Sequence, residues 1–294
     1  MKDIWKADLA LLAVAAIWGS SYGVAKQALL FYPVLGFLAV RFGLTFLLLL
    51  PQLRGVGRRA WLAGLPTGGM LLAIYLCETF GVALTSASNA AFLISLCVLF
   101  TPFVEWGLLD QRPSPVILLA SALCLLGVWL LTGGLTLHFG LGDGLMLGAA
   151  VLRALQVCLI RRMNLTRAVP ALALTAVQSG AVASGCLALA LVAPGPWPAL
   201  PTGPAFWGGT LYLILFATLF AFFVQNHALR HSSATRVGLL MGSEPLFGAL
   251  FAAWWLGERL TPQGWIGGAL ILIATLWATL APRWRRRAVA LEAG

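Results

Sequence analysis

The sequence predicts an all-α, polytopic membrane protein: ten transmembrane helices in two inverted five-helix repeats. Three observations carry this. Apolar runs of membrane length recur along the chain, one stretch of it occurs twice, and the basic residues fall on one side of the resulting topology. Of 294 residues, 61% are hydrophobic and 10% are charged. Soluble domains run at about 45–50% apolar and about 25% charged, so a soluble chain of this composition could not cover its surface.

The duplication fixes the organisation, because a repeat is one structural unit used again. Residues Ser86–Pro115 align with Ser233–Pro262 without a gap, 147 positions apart. Ser86, Ala87, Leu93, Leu99, Phe100, Leu109, Arg112 and Pro115 recur as Ser233, Ala234, Leu240, Leu246, Phe247, Leu256, Arg259 and Pro262. Leu and Ala recur by composition alone; Arg followed three residues later by Pro, closing both copies, carries the weight. A second echo sets Asp8–Lys26 against Asp143–Arg161 at a shift of 135, with Pro33 and Arg41 falling on Pro170 and Gln178 at 137. The chain divides into repeats at 1–137 and 138–294.

Ten apolar spans follow, at about 7–26, 33–51, 61–82, 88–109, 115–135, 144–161, 170–193, 206–229, 237–256 and 263–281, each near the ~20 residues that cross hydrocarbon. Turn and charge signals separate them: Phe31-Tyr32-Pro33, the Arg54–Arg59 segment, Asp110–Pro115, Gly140–Gly144, Arg161–Pro170, a Pro-rich stretch at 194–204, and Gly257–Pro262. Lys2 and Lys6 before the first run look like a signal peptide, but that run is the first member of the repeat and is read as retained.

With the N-terminus in the cytoplasm, Lys2, Lys6, Arg54, Arg58, Arg59, Arg112, Arg161, Arg162, Arg167, Arg230, Arg236, Arg283, Arg285, Arg286 and Arg287 lie inside, fifteen of the 19 basic residues. That satisfies the positive-inside rule and puts both termini in the cytoplasm, with the bacterial inner membrane as location. The formal charge of +10 therefore reads as topology, not as a nucleic-acid surface. Five spans per copy is an odd number, so the copies run oppositely through the bilayer. Inverted repeats recur in secondary transporters, with the substrate site near the midplane at the repeat interface.

Trp18-Gly19 in the first span, Pro33 with Arg41 in the second, and the turn Gly257-Glu258-Arg259-Leu260-Thr261 resemble the EamA-type members of the drug/metabolite transporter superfamily. The resemblance covers nearly the whole chain. It implies ten helices, two inverted repeats and export of metabolites, and within the superfamily it is strongest to bacterial amino-acid exporters of the aromatic type. The first repeat departs from the Gly-Glu turn, reading Leu109-Asp110-Gln111-Arg112, so that turn is read as structural.

Ionisable side chains deep in a bilayer cost about 2.5–3.5 kcal/mol each and mark cavities or pathways. Arg41 lies near the middle of span 2, Arg153 near the middle of span 6, Glu78 in the outer third of span 3 and Glu244 in the inner half of span 9. These four can pair and fix helix register, or receive the carboxylate and ammonium of an amino acid. Trp18 and Tyr22 share a helix face, as do Tyr75 with Glu78 and Arg153 with Gln156. The repeat sets Trp18 against Arg153, Ser21 against Gln156 and Glu78 against Gln225. The expected cavity is therefore lined by Trp18, Tyr22, Tyr75, Glu78, Arg153 and Gln156, with Arg41 or Arg153 holding a carboxylate and Glu78 or Glu244 facing an ammonium or carrying a proton. Aromatic rings there suit an aromatic substrate. Trp5, Trp61, Trp106, Trp207, Trp255, Trp265 and Trp284 near span ends read as an interfacial belt.

Pro102 and Pro245, in the cytoplasmic halves of spans 4 and 9, are expected to kink their helices, as fixed bends or as an inner gate. Small residues (Ala120, Ser121, Ala122 and Gly127 in span 5; Gly267, Gly268, Ala269 and Ala274 in span 10) suit close packing, either as outer supports of a monomer or as a homodimer surface. Cys77, Cys97, Cys124, Cys158 and Cys186 sit in apolar runs without metal or disulfide spacing. His138, His227 and His231 are too scattered for a metal set, and no phosphate-binding loop is present, so no cofactor is expected. The expected partners are a small-molecule substrate and lipid. A nucleotide-sugar or phosphate-ester carrier would want more intramembrane Lys and Arg. An intramembrane enzyme would want a clustered catalytic set at one interface, and a channel would lack saturable counterflow.

Overall fold

The structure, a computed structural model, describes residues 2–85, 87–133, 140–166, 169–193, 199–255 and 260–292. Ser86, His138, Arg167, the Gly257–Arg259 turn and part of the Pro-rich stretch lie outside the described residues, as do the side chains of Trp5, Trp255, Trp284 and the Arg283–Arg287 segment. The helices, in chain order, are α1 (Lys2–Leu29), α2 (Val34–Leu49), α3 (Arg58–Leu84), α4 (Ala87–Ser95), α5 (Cys97–Leu109), α6 (Pro115–Thr132), α7 (Leu141–Thr166), α8 (Ala171–Val192), α9 (Pro204–Tyr212), α10 (Ala221–His231), α11 (Ala234–Met241), α12 (Glu244–Trp255) and α13 (Pro262–Glu292). A π-helix, Leu213–Phe220, joins α9 to α10. Among the described residues there is no strand. Hydrocarbon satisfies no backbone group, so a chain this apolar either coils into helices or closes into a barrel.

Eight stretches, from Lys6–Leu29 to Pro204–His231, are long and apolar enough to cross a membrane. The expected ninth span falls on the broken pair α11 and α12, and the tenth on α13, whose apolar part is the shorter Pro262–Ala278. The protein is a multi-pass membrane protein.

Helix ends follow local chemistry. Pro33 precedes α2 and Pro170 precedes α8, where a missing N–H is harmless. Ser114 caps α6, accepting from the Ile117 N–H at 3.4 Å, with Pro115 as the first helical residue. Thr261, its counterpart 147 positions on, caps α13 by accepting from the Gly264 N–H at 3.1 Å, again with Pro next. Helix α6 ends at Gly133 with φ 76°, a left-handed residue that glycine adopts without strain.

Span 4 breaks away from its proline, and span 9 breaks beside its own. The interruption in span 4 is at Leu96, six residues before Pro102, which sits inside α5. The interruption in span 9 is at Gly242–Ser243, immediately before Glu244 and Pro245. Leu96 and Ser243 are 147 positions apart, so the two breaks occupy one register of the duplication although the two prolines do not.

The two halves interleave. Helix α1 packs on α11 and α12, as α7 packs on α4 and α5; α2 packs on α8 and α6 on α13. Close approach depends on glycine at two crossings. A Cβ on Gly127 would lie 2.7 Å from the Gly267 carbonyl oxygen, so these glycines of spans 5 and 10 are used against each other within the chain. A Cβ on Gly19 would lie 2.5 Å from the Gly248 nitrogen and 2.7 Å from the Glu244 carbonyl, which rigid backbone cannot relieve.

Gly19→Val is expected to lower the thermal unfolding midpoint in detergent, at an overpacking cost of roughly 1–3 kcal/mol or more. Gly69→Val, where an added Cβ meets nothing within 4 Å, is expected to leave it nearly unchanged. Equal effects would show that the α1–α12 crossing is not backbone-tight.

Candidate functional site

A cavity of about 330 Å³ opens between the halves. Trp18, Tyr22, Arg41, Tyr75, Glu78, Arg153, Gln156 and Glu244 all line it, and so does Pro245; Pro102 does not. The cavity reaches Lys26, Leu29 and Leu30 at the end of α1 and Thr79, Val82 and Ala83 at the end of α3. At the opposite end of those helices the halves are drawn together. Arg236 donates from Nη2 and Nε to the two carboxylate oxygens of Asp8, at 2.7 and 3.2 Å. Glu105, 3% exposed, accepts from the backbone N–H groups of Ala234 and Thr235 at 2.8 and 2.9 Å and from the Thr235 hydroxyl. It thus occupies the positive end of α11 from another span.

The four intramembrane charges divide unequally. Arg153 Nη2 lies 3.5 Å from Glu244 Oε2, and its guanidinium sits 4.9 Å over the Trp18 ring. Positions matched by the repeat, Trp18 and Arg153, therefore touch. Arg41 and Glu78 make no such pair. Arg41, 5% exposed, has no carboxylate within ion-pair distance among the described residues. It donates from Nε to Thr218 Oγ1 at 2.8 Å and from Nη2 to the Ala217 carbonyl at 3.4 Å and the Tyr75 hydroxyl at 3.5 Å. The rings of Phe42 and Tyr75 each stand 5.3 Å from its guanidinium carbon. Glu78, half-buried, meets no cation within that distance among the described residues.

Aromatic side chains wall the region around Arg41. Phe42 and Tyr75 meet edge to face at 4.7 Å, and Phe222 stands 5.7 Å from Trp18 and 6.4 Å from Tyr75. The Trp18 indole donates to the Ala217 carbonyl at 2.8 Å, which fixes its ring. The Tyr22 hydroxyl is buried and meets no partner in hydrogen-bond geometry among the described residues. Gln156 lines the cavity, but its amide N–H is engaged elsewhere, donating to the Thr67 carbonyl at 2.8 Å. That bond joins a buried polar chain: Gln178 donates to Thr67 Oγ1 at 3.1 Å, and Asn226 to Gln178 Oε1 at 3.1 Å.

Sequence reasoning passed over Glu105, the Asp8–Arg236 pair, Thr218 and Phe222. Glu105 carried the same signal as Glu78, an acid inside an apolar run. Phe222 carried one as well, since the shift that sets Glu78 against Gln225 also sets Tyr75 against Phe222; Thr218 carried none.

An all-helical membrane bundle enclosing a charged, aromatic-walled cavity between two interleaved halves defines the transporter class. The EamA-like transporter family matches the chain twice, over residues 5–133 and 140–280, and the chain belongs to that family. It is 30% identical over 283 residues, 93% of this chain and 86% of the other, to an uncharacterised transporter of Archaeoglobus fulgidus. It is 31% identical to the uncharacterised transporter YwfM of Bacillus subtilis over 64% of this chain and 62% of that one. A crystal structure with 18% identity shares the fold, with a TM-score of 0.76 over 95% of this chain and 98% of that one.

Breaking the Arg153–Glu244 pair from one side leaves a buried charge uncompensated, worth about 3–5 kcal/mol. Arg153→Met and Glu244→Leu are each expected to lower the unfolding midpoint sharply, and the double variant to recover most of the loss. Additive losses in the double variant would show that the two side chains are not coupled.

Proposed function

We propose that this protein is a secondary transporter that exports small metabolites, most favourably amino acids with aromatic side chains, across the bacterial inner membrane. Ten helices form two inverted five-helix repeats, 1–137 and 138–294, with both termini cytoplasmic, and the halves alternate the access of the cavity. Several findings support the inverted arrangement: the register-matched breaks at Leu96 and Ser243, the matched caps at Ser114 and Thr261, and the exchanged packing of α1 on α11–α12 and α7 on α4–α5.

The observation that carries the substrate reading is the division of charge. Arg153 and Glu244 satisfy each other. Arg41 and Glu78 remain, one cation and one anion without an opposite partner among the described residues, in one cavity. A zwitterion would complete both: its carboxylate at Arg41 and its ammonium at Glu78, where a proton could take the ammonium's place. The ring walls from Trp18, Tyr75 and Phe222 would stack an aromatic side chain. A volume of about 330 Å³ is at the low end of small-molecule sites, roughly 300–1,000 Å³, which suits one amino acid better than a nucleotide sugar. Charge points the same way. Lys26, Arg41 and Arg153 against Glu78 and Glu244 leave the lining a single excess positive charge, too little for a diphosphate. Lipid covers the outer faces, where Trp61, Trp106 and Trp265 are exposed as an interfacial belt requires.

Radiolabelled phenylalanine counterflow in proteoliposomes tests the reading. Saturable exchange is expected for the wild type, falling roughly tenfold or more in Arg41→Gln and in Glu78→Gln. Undiminished counterflow in both variants would remove the two residues from the site. A wild type that exchanges no neutral amino acid would end the substrate assignment.

A further inference from the structure

We propose that Thr218, with the π-turn around it, is the positioning element that makes Arg41 a carboxylate receptor. The inference rests on the cavity's being an amino-acid site and says how one end of the substrate is held. The π-helix Leu213–Phe220 lies in the middle of the span Pro204–His231. Single π-turns inside helices are rare and gather at functional sites. Here the turn has an identifiable product. In an α-helix the Ala221 N–H would donate to the Ala217 carbonyl, four residues back. Instead it donates to the carbonyls of Phe216 and Thr218. The Ala217 carbonyl is thereby freed from the Ala221 N–H, and it accepts from Trp18 Nε1 at 2.8 Å and from Arg41 Nη2 at 3.4 Å.

Thr218 completes the device. A hydroxyl has one proton to give and lone pairs to receive with. Thr218 Oγ1 donates that proton to the Leu213 carbonyl at 2.8 Å, five residues back. Its oxygen is then left as an acceptor, and Arg41 Nε fills it at 2.8 Å. Arg41 is thus solvated by two hydroxyls, a carbonyl and two ring faces, all of them dipoles or quadrupoles. None of them cancels its charge. The guanidinium is oriented through Nε and Nη2, while the two donors on Nη1 have no partner among the described residues. They are available to a carboxylate, to which a charge-assisted bond is short and strong.

The second half contains the neutral version. Gln178 holds the repeat position of Arg41 and donates from Nε2 to Thr67 Oγ1 at 3.1 Å, while Thr67 bonds back to the Ala63 carbonyl at 2.8 Å. The hand-off is the same, but Thr67 reaches only four residues back, within α3, whose ladder is interrupted by Pro66 and not by a π-turn. An amide needs no released carbonyl. The π-turn accompanies the charged member of the pair, which argues that it serves the cation and not packing in general.

The test compares phenylalanine with phenethylamine, which lacks only the carboxylate, by thermal shift of the purified full chain and by competition for phenylalanine counterflow. Thr218→Val removes the acceptor at nearly constant volume, and Thr218→Ser restores it. In Thr218→Val, phenylalanine affinity is expected to fall about tenfold while phenethylamine affinity changes little, erasing the preference for the carboxylate; Thr218→Ser is expected to recover it. Arg41→Lys, which keeps the cation but not the fork, is expected to show the same selective loss and serves should Thr218→Val fail to fold. Unchanged discrimination in Thr218→Val or Arg41→Lys, or an equal loss for both ligands, would overturn the positioning role while leaving the amino-acid reading intact. A wild type that binds neither ligand would overturn the amino-acid reading itself, and this inference with it.

Discussion

A guanidinium held inside a membrane protein, with no carboxylate at ion-pair distance among the described residues, is the constraint on which this structure turns. An unpaired charge in apolar surroundings is tolerated only when dipoles replace the lost water. Around Arg41 those dipoles come from two other spans and from its own. Span 8 supplies Thr218 and the Ala217 carbonyl, span 3 supplies the Tyr75 ring and hydroxyl, and span 2 itself supplies Phe42. Span 1 is drawn in as well, because the Trp18 indole shares the Ala217 carbonyl. One side chain thus ties four spans from both repeats to a single point. Arg153 solves the same problem differently, by pairing with Glu244 and lying over the Trp18 ring. The first arrangement leaves a net charge in the cavity and the second does not.

Duplication explains the frame, and departures from it mark the chemistry. Where the halves agree, the shared features are structural: the Ser114 and Thr261 caps and the Leu96 and Ser243 breaks. Where they disagree, charge appears on one side only. Arg41 is matched by Gln178, Glu78 by Gln225, Arg153 by Trp18 and Glu244 by Cys97. Each half therefore contributes one cation and one anion, at positions that its copy fills with a neutral residue. A symmetric ancestor of such a cavity would present every charge twice across a narrow space, and like charges that close repel.

Eight of the spans were legible because hydrocarbon permits so few alternatives, and the cavity lining was legible because ionisable groups are costly inside apolar runs. The pairing was not. Four charges on four spans give no indication from sequence of which cation meets which anion, since that depends on helix rotation. The break in span 4 was illegible for a related reason. Proline removes a backbone donor at one position, yet α5 absorbs Pro102 within its run, and the interruption falls at Leu96. The π-turn was illegible altogether. Leu213–Phe220 reads LILFATLF, apolar throughout save one threonine, and nothing in it distinguishes five residues per hydrogen-bonded turn from four.

The two ends of the cavity also differ in how they are held. Asp8 and Asp143 are equivalents in the duplication, and each meets the start of a broken span: Asp8 pairs with Arg236 in the first turn of α11, and Asp143 accepts from the Thr85 hydroxyl just before α4. The repeat therefore builds an aspartate tie at both ends, to the first turn of α11 at one and to Thr85, ahead of α4, at the other. Only one end adds a second carboxylate, because Glu105 clasps the start of α11 while its counterpart register holds Ala252. Two backbone N–H groups at a helix start, a hydroxyl and a buried carboxylate form a charge-assisted cluster that has to be taken apart before α5 and α11 can separate. An alternating cycle built on two near-equal halves would then not be energetically level. The end closed by Asp8, Arg236 and Glu105 would be the harder one to open, and the structure has that end shut while its cavity extends toward the other.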